Sequence, residues 1–287
     1  MKILVTTPYF YPEGGGLERY AYNIFKRLAA KGYEITVYCA TKNGYDYSEE
    51  LDGIRVNRLK PDLIISNTPI RFNLYSILSK ELDNGYDIVN GHTPVPYFAE
   101  ISALVASKRQ IDYIITYHAP AISTSSILNV IAKILRITID KYIMGRANKI
   151  ITVNSISNYR YLKRYSKKIT VIPPGVDTKR YVPNKYDPYG KRLLFIGSLS
   201  PSYRYKGLSI LLDSLVSVVR YHPDIILTII GDGPLREEYM NTCKTKGIEK
   251  NVIFRGRINE EELISEYQRS TLLIVPTLTD TEGFGMV

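Results

Sequence analysis

The sequence predicts an α/β protein made of two doubly wound domains with largely parallel sheets. Two observations carry this. Short aliphatic runs without strict alternation recur between stretches of helical periodicity, as parallel strands covered by helices on both faces require. A proline-rich interruption past the middle of the chain is followed by a restart of the same rhythm.

The opening unit is the clearest. Lys2–Thr6 is strand-like, and Leu17, Tyr20, Ala21, Ile24, Leu28 and Ala29 then recur at helical spacing until Gly32 ends the pattern. Glu34–Cys39 follows as a second strand, so the chain starts with a βαβ crossover around a glycine loop. Further strands are expected at Arg55–Leu59, Leu63–Ser66, Asp87–Asn90, Tyr113–Thr116, Ile150–Val153 and Thr170–Ile172. Leu74–Leu82, Pro96–Ser107 and Ile127–Met144 have helical length between them. The stretch IPPGVDTKRYVPNKYDPYGK, residues 172–191, suits a connector. The expected division is a first Rossmann-like domain at 1–175, a linker at 176–191 and a second domain at 192–287. The second half reads as strand Arg192–Ile196, helix Leu208–Val219, strand Ile225–Ile230, helix Arg236–Lys246, strand Val252–Phe254, helix Glu260–Tyr267 and strand Leu272–Val275. It then ends in a loop, which predicts a truncated second domain, or one completed by a partner.

Composition narrows the classes. With 287 residues and 45% apolar side chains the chain can bury two cores. Its two cysteines, Cys39 and Cys243, fit reduced buried side chains, and no CxxC, HExxH or Cys/His cluster suggests a metal. The N-terminus lacks the apolar segment of a secretion signal, and no run approaches the ~18 apolar residues of a spanning helix. A cytoplasmic protein is expected. Formal charge is +10, which invites an anionic partner. A nucleic-acid partner is not expected, because that reading rests on charge alone and the 25 tyrosines are too scattered for a stacking platform. The basic residues from Lys133 to Lys168 have the spacing of a solvated helical face, with peripheral contact at an anionic membrane as the sharper alternative.

Ligands of open α/β sheets bind beyond the carboxyl ends of strands, so four loops stand out. PEGGGLERY, residues 12–20, sets Gly14, Gly15 and Gly16 before a helix N-terminus, where exposed amides suit an anion or a close ligand. It matches neither GxGxxG nor a Walker loop, and a plain flexible turn is the alternative. His118 follows the strand DYIITY and could hydrogen-bond a sugar hydroxyl; His92 occupies a comparable exit, so position alone does not choose between them. GSLSPSYRYKG, residues 197–207, brings Arg204 and Lys206 beside a helix start, as a diphosphate requires, although exposed loop cations are common. In TLTDTEGFGMV, Glu282 lies beside Gly283, Phe284 and Gly285, where a carboxylate could accept two sugar hydroxyls; Asp280 could do the same or cap a helix. The GDGP turn with Gly231 and Gly233 could bound the same cleft.

Taken together these segments resemble the retaining, nucleotide-sugar-dependent glycosyltransferases of family 4, which have the two-domain GT-B fold. The resemblance spans the chain, through PEGGGLERY, ITYHA, VNSISNY, VIPPGVD, FIGSLSPSYRYKGLSILLDSL, IIGDGPL, VIFRGRI and TEGFGMV in the family's order. It implies two Rossmann-like domains facing across a cleft, the second incomplete here. Gly14, Gly15 and Gly16 would line the cleft near phosphates and acceptor, His118 would touch the donor sugar, and Lys206 would bind the diphosphate. Gly231, Gly233 and Arg255 would lie against the nucleotide, and Asp177 would order the hinge. Glu282 matches the first carboxylate of the family's E-x7-E motif; the second would fall beyond Val287. Where the family commonly has arginine after the glycine matching Gly197, this chain has Ser198, and Arg204 is the expected replacement.

The implied reaction is transfer of a hexose-type sugar to an acceptor hydroxyl, free, lipid-linked or on a glycan, with retention and without metal or cofactor. A truncated or degenerate nucleotide-sugar binder and a sugar-nucleotide epimerase are the alternatives. Hydrolysis fits less well, since only Glu282 offers a carboxylate in a suitable loop.

Overall fold

The computed structural model describes residues 1–65, 68–118, 141–154, 160–184, 190–278 and 284–287. The chain divides into two compact units, Met1–Pro174 with Gly283–Met286, and Gly175–Glu282 with Val287.

The first unit is built on β1 (Lys2–Thr6), α1 (Gly16–Ala29), β2 (Glu34–Ala40), β3 (Tyr47–Leu51), β4 (Ile54–Leu59), β5 (Leu63–Ile65), β6 (Thr68–Ile70), α2 (Leu74–Leu82), β7 (Ile88–Thr93), α3 (Phe98–Arg109), β8 (Asp112–Tyr117), β9 (Lys149–Thr152) and β10 (Ile169–Val171). Residues 141–146 are also helical; the rest of the predicted helix Ile127–Met144 before residue 141 lies outside the described residues. Eight strands form one sheet in the order β10-β9-β8-β7-β1-β2-β4-β3. Every pairing is parallel except β3 with β4.

The aliphatic runs that predicted parallel strands are buried because helices cover them. Leu4, Val89 and Ile115 join Leu74, Leu78, Phe98 and Ala103 in one apolar cluster, while Ile3, Val5, Val37 and Val56 join Ala21 and Phe25 in another. The sheet order reverses direction between β1 and β7, which makes the carboxyl ends of these two strands the switch point of the unit.

Three features depart from expectation. β3 was not foreseen; YSEEL pairs antiparallel at the sheet margin, where charged residues suit an edge. Of the strand expected at Leu63–Ser66, the described part, Leu63–Ile65, pairs with Thr68–Ile70 in a separate antiparallel ribbon instead of joining the sheet, and Ser66 lies outside the described residues. The strand at Asp87–Asn90 runs on to Thr93, which puts His92 inside β7 rather than at its exit.

The second unit comprises β11 (Arg192–Ile196), α4 (Leu208–Tyr221), β12 (Ile226–Ile230), α5 (Arg236–Thr245), β13 (Val252–Gly256), α6 (Glu260–Arg269) and β14 (Leu272–Leu273). Its sheet is parallel in the order β13-β12-β11-β14, so here the switch point falls between β11 and β14. Leu193, Phe195, Leu227 and Ile229 pack on Leu208, Leu212 and Leu215 of α4 and on Tyr239 and Cys243 of α5. Asn259 caps α6 by accepting from Glu262 N–H, with the Glu262 carboxylate returning to the Asn259 amide. In the connector, Asp177 accepts from Lys179 N–H through its carboxylate and from Arg180 and Tyr181 N–H through its carbonyl, folding 177–181 into a turn.

The most deeply buried charged side chain among the described residues of the first unit is Arg58. Arg58, 1% exposed, donates to the carbonyls of Phe10 (3.0 Å) and Tyr11 (2.6 Å) and to Glu49 (2.5 Å). It thereby ties the loop after β1 to β4. Removing the guanidinium leaves two carbonyls and a carboxylate without their donor, so Arg58→Met should cost about 3 kcal/mol, read as a lower urea midpoint with unchanged slope. Arg58→Lys should recover less than half of that loss, because an ammonium does not reproduce the fork.

Candidate active site

At the first switch point the loop after β1 leads through Gly14, Gly15 and Gly16 into α1. Gly14 takes φ +104, which a side chain would strain. The amides are not simply open: Gly15 N–H donates to Glu18 Oε2 at 2.6 Å. Burial raises the Glu18 carboxyl above its ordinary range, and the Gly15 amide opposes that shift. An anion arriving at this helix start would have to displace the chain's own carboxylate. The sequence carries the signal, since Glu18 stands three residues after the cap as in a capping box. Upstream, Glu13 accepts from Thr41 Oγ1 at 2.7 Å and from Lys42 N–H at 2.9 Å, pinning the loop beside β2.

His118 lies directly beyond β8 and is 8% exposed. Its neighbour is the other candidate: His92 Nδ1 is 3.1 Å from His118 Nε2. The structure therefore joins two histidines that the sequence left as alternatives. Tyr20 of α1 meets the His118 ring edge-on at 5.0 Å, and Phe25 meets His92 at 5.8 Å. Burial lowers the His118 pKa to about 3 and holds His92 well below its ordinary value, so both rings are neutral at physiological pH.

In the second unit the loops flanking the switch point are 197–207 after β11 and 274–278 after β14. They are joined by Leu278 N–H donating to Tyr205 C=O at 2.8 Å. Gly207, at φ +76, starts α4 where a Cβ would overlap the Pro276 carbonyl. Lys206 runs its stem over Gly197: a Cβ there would stand 2.9 Å from Lys206 Cδ. Gly231, at φ +133, faces the Gly197 carbonyl, and a Cβ on Gly233 would stand 2.5 Å from the Leu199 carbonyl carbon. Glycines at the β11 and β12 exits and at the α4 start thus let the 231–233 segment close on 197–200, and Pro276 close on the α4 N-terminus.

Arg204 and Arg255 each form ion pairs within the second unit. Arg204 is exposed and pairs with Glu238 of α5 at 2.7 Å. Arg255 sits in β13 beside Glu262 (3.6 Å) and Glu266 (4.0 Å) of α6. Ser198 Oγ donates to Ser200 Oγ at 3.1 Å. Glu282, Gly283 and Asp280 lie outside the described residues. Phe284 is exposed and Gly285 takes φ +71; both group with the first unit, where Met286 Sδ would stand 3.3 Å from a Cβ on Gly16. Among the described residues no cluster of three or more His, Cys, Asp or Glu could hold a metal, and no helix is long and apolar enough to cross a membrane.

The neutral histidines carry a stability prediction. The unfolded chain protonates His118 near its ordinary 6.5, whereas the folded chain keeps it neutral down to about 3. The unfolded state therefore binds more protons in that window. Stability is fully present above pH 6.5 and falls as pH drops, by about 1.4 kcal/mol per pH unit for this group. His118→Gln should flatten the acid limb of urea midpoint against pH; an unchanged limb would show that His118 titrates normally in the fold.

A family model described as Glycosyltransferase Family 4 matches residues 14–180, more than half of the chain, and one described as Glycosyl transferases group 1 matches 183–287. Among curated proteins the chain is 24% identical to O-antigen chain mannosyltransferase C of Escherichia coli, covering 100% of this chain and 75% of that protein. It is 25% identical to D-rhamnosyltransferase WbpZ of Pseudomonas aeruginosa, covering 95% and 70%. Among solved structures it superposes on sucrose-phosphate synthase from Thermosynechococcus elongatus with a TM-score of 0.69 at 20% identity, covering 99% of this chain and 77% of that one, a likeness of fold. With a family match over most of its first unit and a second match over the other, the chain belongs to Glycosyltransferase Family 4, has the GT-B class of fold, and is a transferase that uses nucleotide sugars.

Proposed function

We propose that the protein moves a hexose-type sugar from a nucleotide diphosphate to an acceptor hydroxyl with retention at the anomeric carbon. The observation that supports this most is the placement of Lys206 over Gly197, beside the α4 N-terminus, at the switch point of the second unit. The bond between the anomeric carbon and the diphosphate oxygen breaks, and its electron pair leaves with the diphosphate. A cation and helix amides aimed at that oxygen bind the growing charge more tightly than the ground state. The acceptor oxygen bonds to the anomeric carbon from the face being vacated, and its proton passes to the departing diphosphate. His118 and Glu282 are read as donor-sugar contacts, with Gly231, Gly233 and Arg255 on the nucleotide side. The names of the mannosyl- and rhamnosyltransferase relatives favour a hexose or deoxyhexose donor. On this reading cations of the chain, rather than a metal ion or cofactor, take up the phosphate charge.

The acceptor is read as a sugar carried on a glycan or lipid. Contact with an anionic membrane belongs to the same proposal; within the basic segment, Lys163, Arg164 and Lys167 are exposed. Co-sedimentation with anionic but not neutral liposomes at moderate salt tests it, and absence of binding to both overturns it.

Nucleotide release from a panel of UDP- and GDP-hexoses, with the product's anomeric configuration read by NMR, tests the transfer itself. Lys206→Ala should lower kcat/KM at least ~100-fold, the loss of about 3 kcal/mol of transition-state stabilisation. Arg204→Ala should stay within about threefold, because its charge is spent on an exposed ion pair. Turnover should persist in EDTA. Full turnover by a folded Lys206→Ala variant would defeat the diphosphate role, and an inverted product would defeat retention.

A further inference from the structure

His92 is 1% exposed, too deep to meet a substrate, yet it lies within hydrogen-bond distance of His118. A buried imidazole pair at the carboxyl edge of a sheet is costly unless each nitrogen has a defined partner. Here the partners can be followed from one strand to the next. Asn90, two residues earlier on β7, donates its amide to Ile114 C=O (2.9 Å) and to Thr116 Oγ1 (3.1 Å), both on β8. A carbonyl only accepts, so the NH2 end of Asn90 must face β8 and its Oδ1 must face His92. That oxygen is 2.9 Å from His92 Nε2, which must therefore carry a hydrogen.

A neutral His92 with its hydrogen on Nε2 has a bare lone pair on Nδ1. The group opposite, His118 Nε2, can meet that lone pair only as a donor. The opposite assignment would set the lone pair of His92 Nε2 against the lone pairs of Asn90 Oδ1. A doubly protonated His92 would satisfy both contacts, but it would bury a cation with no carboxylate among its hydrogen-bond partners. Hydrogens thus run in one direction, from His118 to His92 to Asn90 to β8. The two rings lie at 29° to one another with centroids 5.3 Å apart, and Phe25 and Tyr20 pack against their faces and edges.

We propose that His92 is a positioning residue: through Asn90 it locks His118 in the neutral tautomer with hydrogen on Nε2 and fixes the plane of its ring. His118 is then held in one defined ring state, with its hydrogen on Nε2, instead of two tautomers in exchange. The consequence for turnover rests on the reading of His118 as a donor-sugar contact; the tautomer itself does not.

The test uses the full chain labelled with 15N in histidine. Only three histidines are present, buried His92 and His118 and exposed His222, so the signals can be assigned by substitution. In the unsubstituted protein at pH 7 the His118 nitrogens should show fully separated shifts, Nε2 pyrrole-like and Nδ1 pyridine-like, with an Nε2–H slow to exchange with water. A pyridine-like Nε2, or averaged shifts, would overturn the proposal without any variant. His92→Leu should shrink the separation and expose Nε2–H to exchange, whereas His92→Gln, whose amide can both accept from His118 and donate to Asn90, should restore both. Shifts in His92→Leu equal to those of the unsubstituted protein would also overturn it. In nucleotide-release assays, His92→Leu should lower kcat about tenfold with KM within about twofold, and His92→Gln should recover most of it. If no variant and no parent turned over any nucleotide sugar, the transfer reading would fail while the tautomer measurement still decided the role of His92.

Discussion

Parallel strand pairing is the constraint on which both candidate sites depend. A parallel strand needs a crossover back to its starting edge, so every carboxyl end emerges on the same side of its sheet. The order β10-β9-β8-β7-β1-β2-β4 then leaves one place where neighbouring crossovers diverge, between β1 and β7, and β13-β12-β11-β14 leaves another between β11 and β14. Gly14, Gly15 and Gly16, His118 and Lys206 are functional candidates because they follow those strand ends.

Both units bring backbone segments together at these edges, and the second does so with glycine. Gly231 and Gly207 lie where a Cβ would overlap a carbonyl from a neighbouring loop, and both have positive φ. In the first unit closeness comes from buried polar side chains instead. Arg58 gathers the Phe10 and Tyr11 carbonyls, and Asn90, His92 and His118 link β7 to β8. A guanidinium or imidazole in a core is retained only when its donors and acceptors are matched, so these contacts also restrict the geometry of the loops above them.

Regular elements were legible where composition and period agreed. Lys2–Thr6, Leu74–Leu82 and Arg192–Ile196 match their predicted bounds because an aliphatic run or a 3.6-residue stripe leaves few alternatives. Tyr47–Leu51 was missed because an edge strand with two glutamates lacks the apolar pattern of its neighbours. The run at Leu63 was legible as a strand but not as a ribbon, since partner choice is set by the adjacent Thr68–Ile70 and not by its own composition. The site was legible as loops and not as contacts. That His92 and His118 touch depends on register, His92 pairing with Thr116 across β7 and β8, and register is not written in either segment alone.

Charge shows the same limit more sharply. A net charge of +10 and the sequence RYK suggested two cations for one diphosphate, but a count of charges does not say which are already used. Arg204 is held by Glu238, Arg255 by Glu262 and Glu266, and Arg58 by Glu49 and two carbonyls. Glu18 likewise spends its charge on the helix start that looked ready for an anion. A ligand phosphate at α1 would compete with a carboxylate three residues away in the same chain, whereas the α4 start follows Lys206 in sequence and has no acidic residue in its own first turn. The two glycine-bordered helix starts are therefore not equivalent. The α4 end is suited to phosphate; the α1 end, with Glu18 on its amides and a neutral histidine nearby, is suited to hydroxyls.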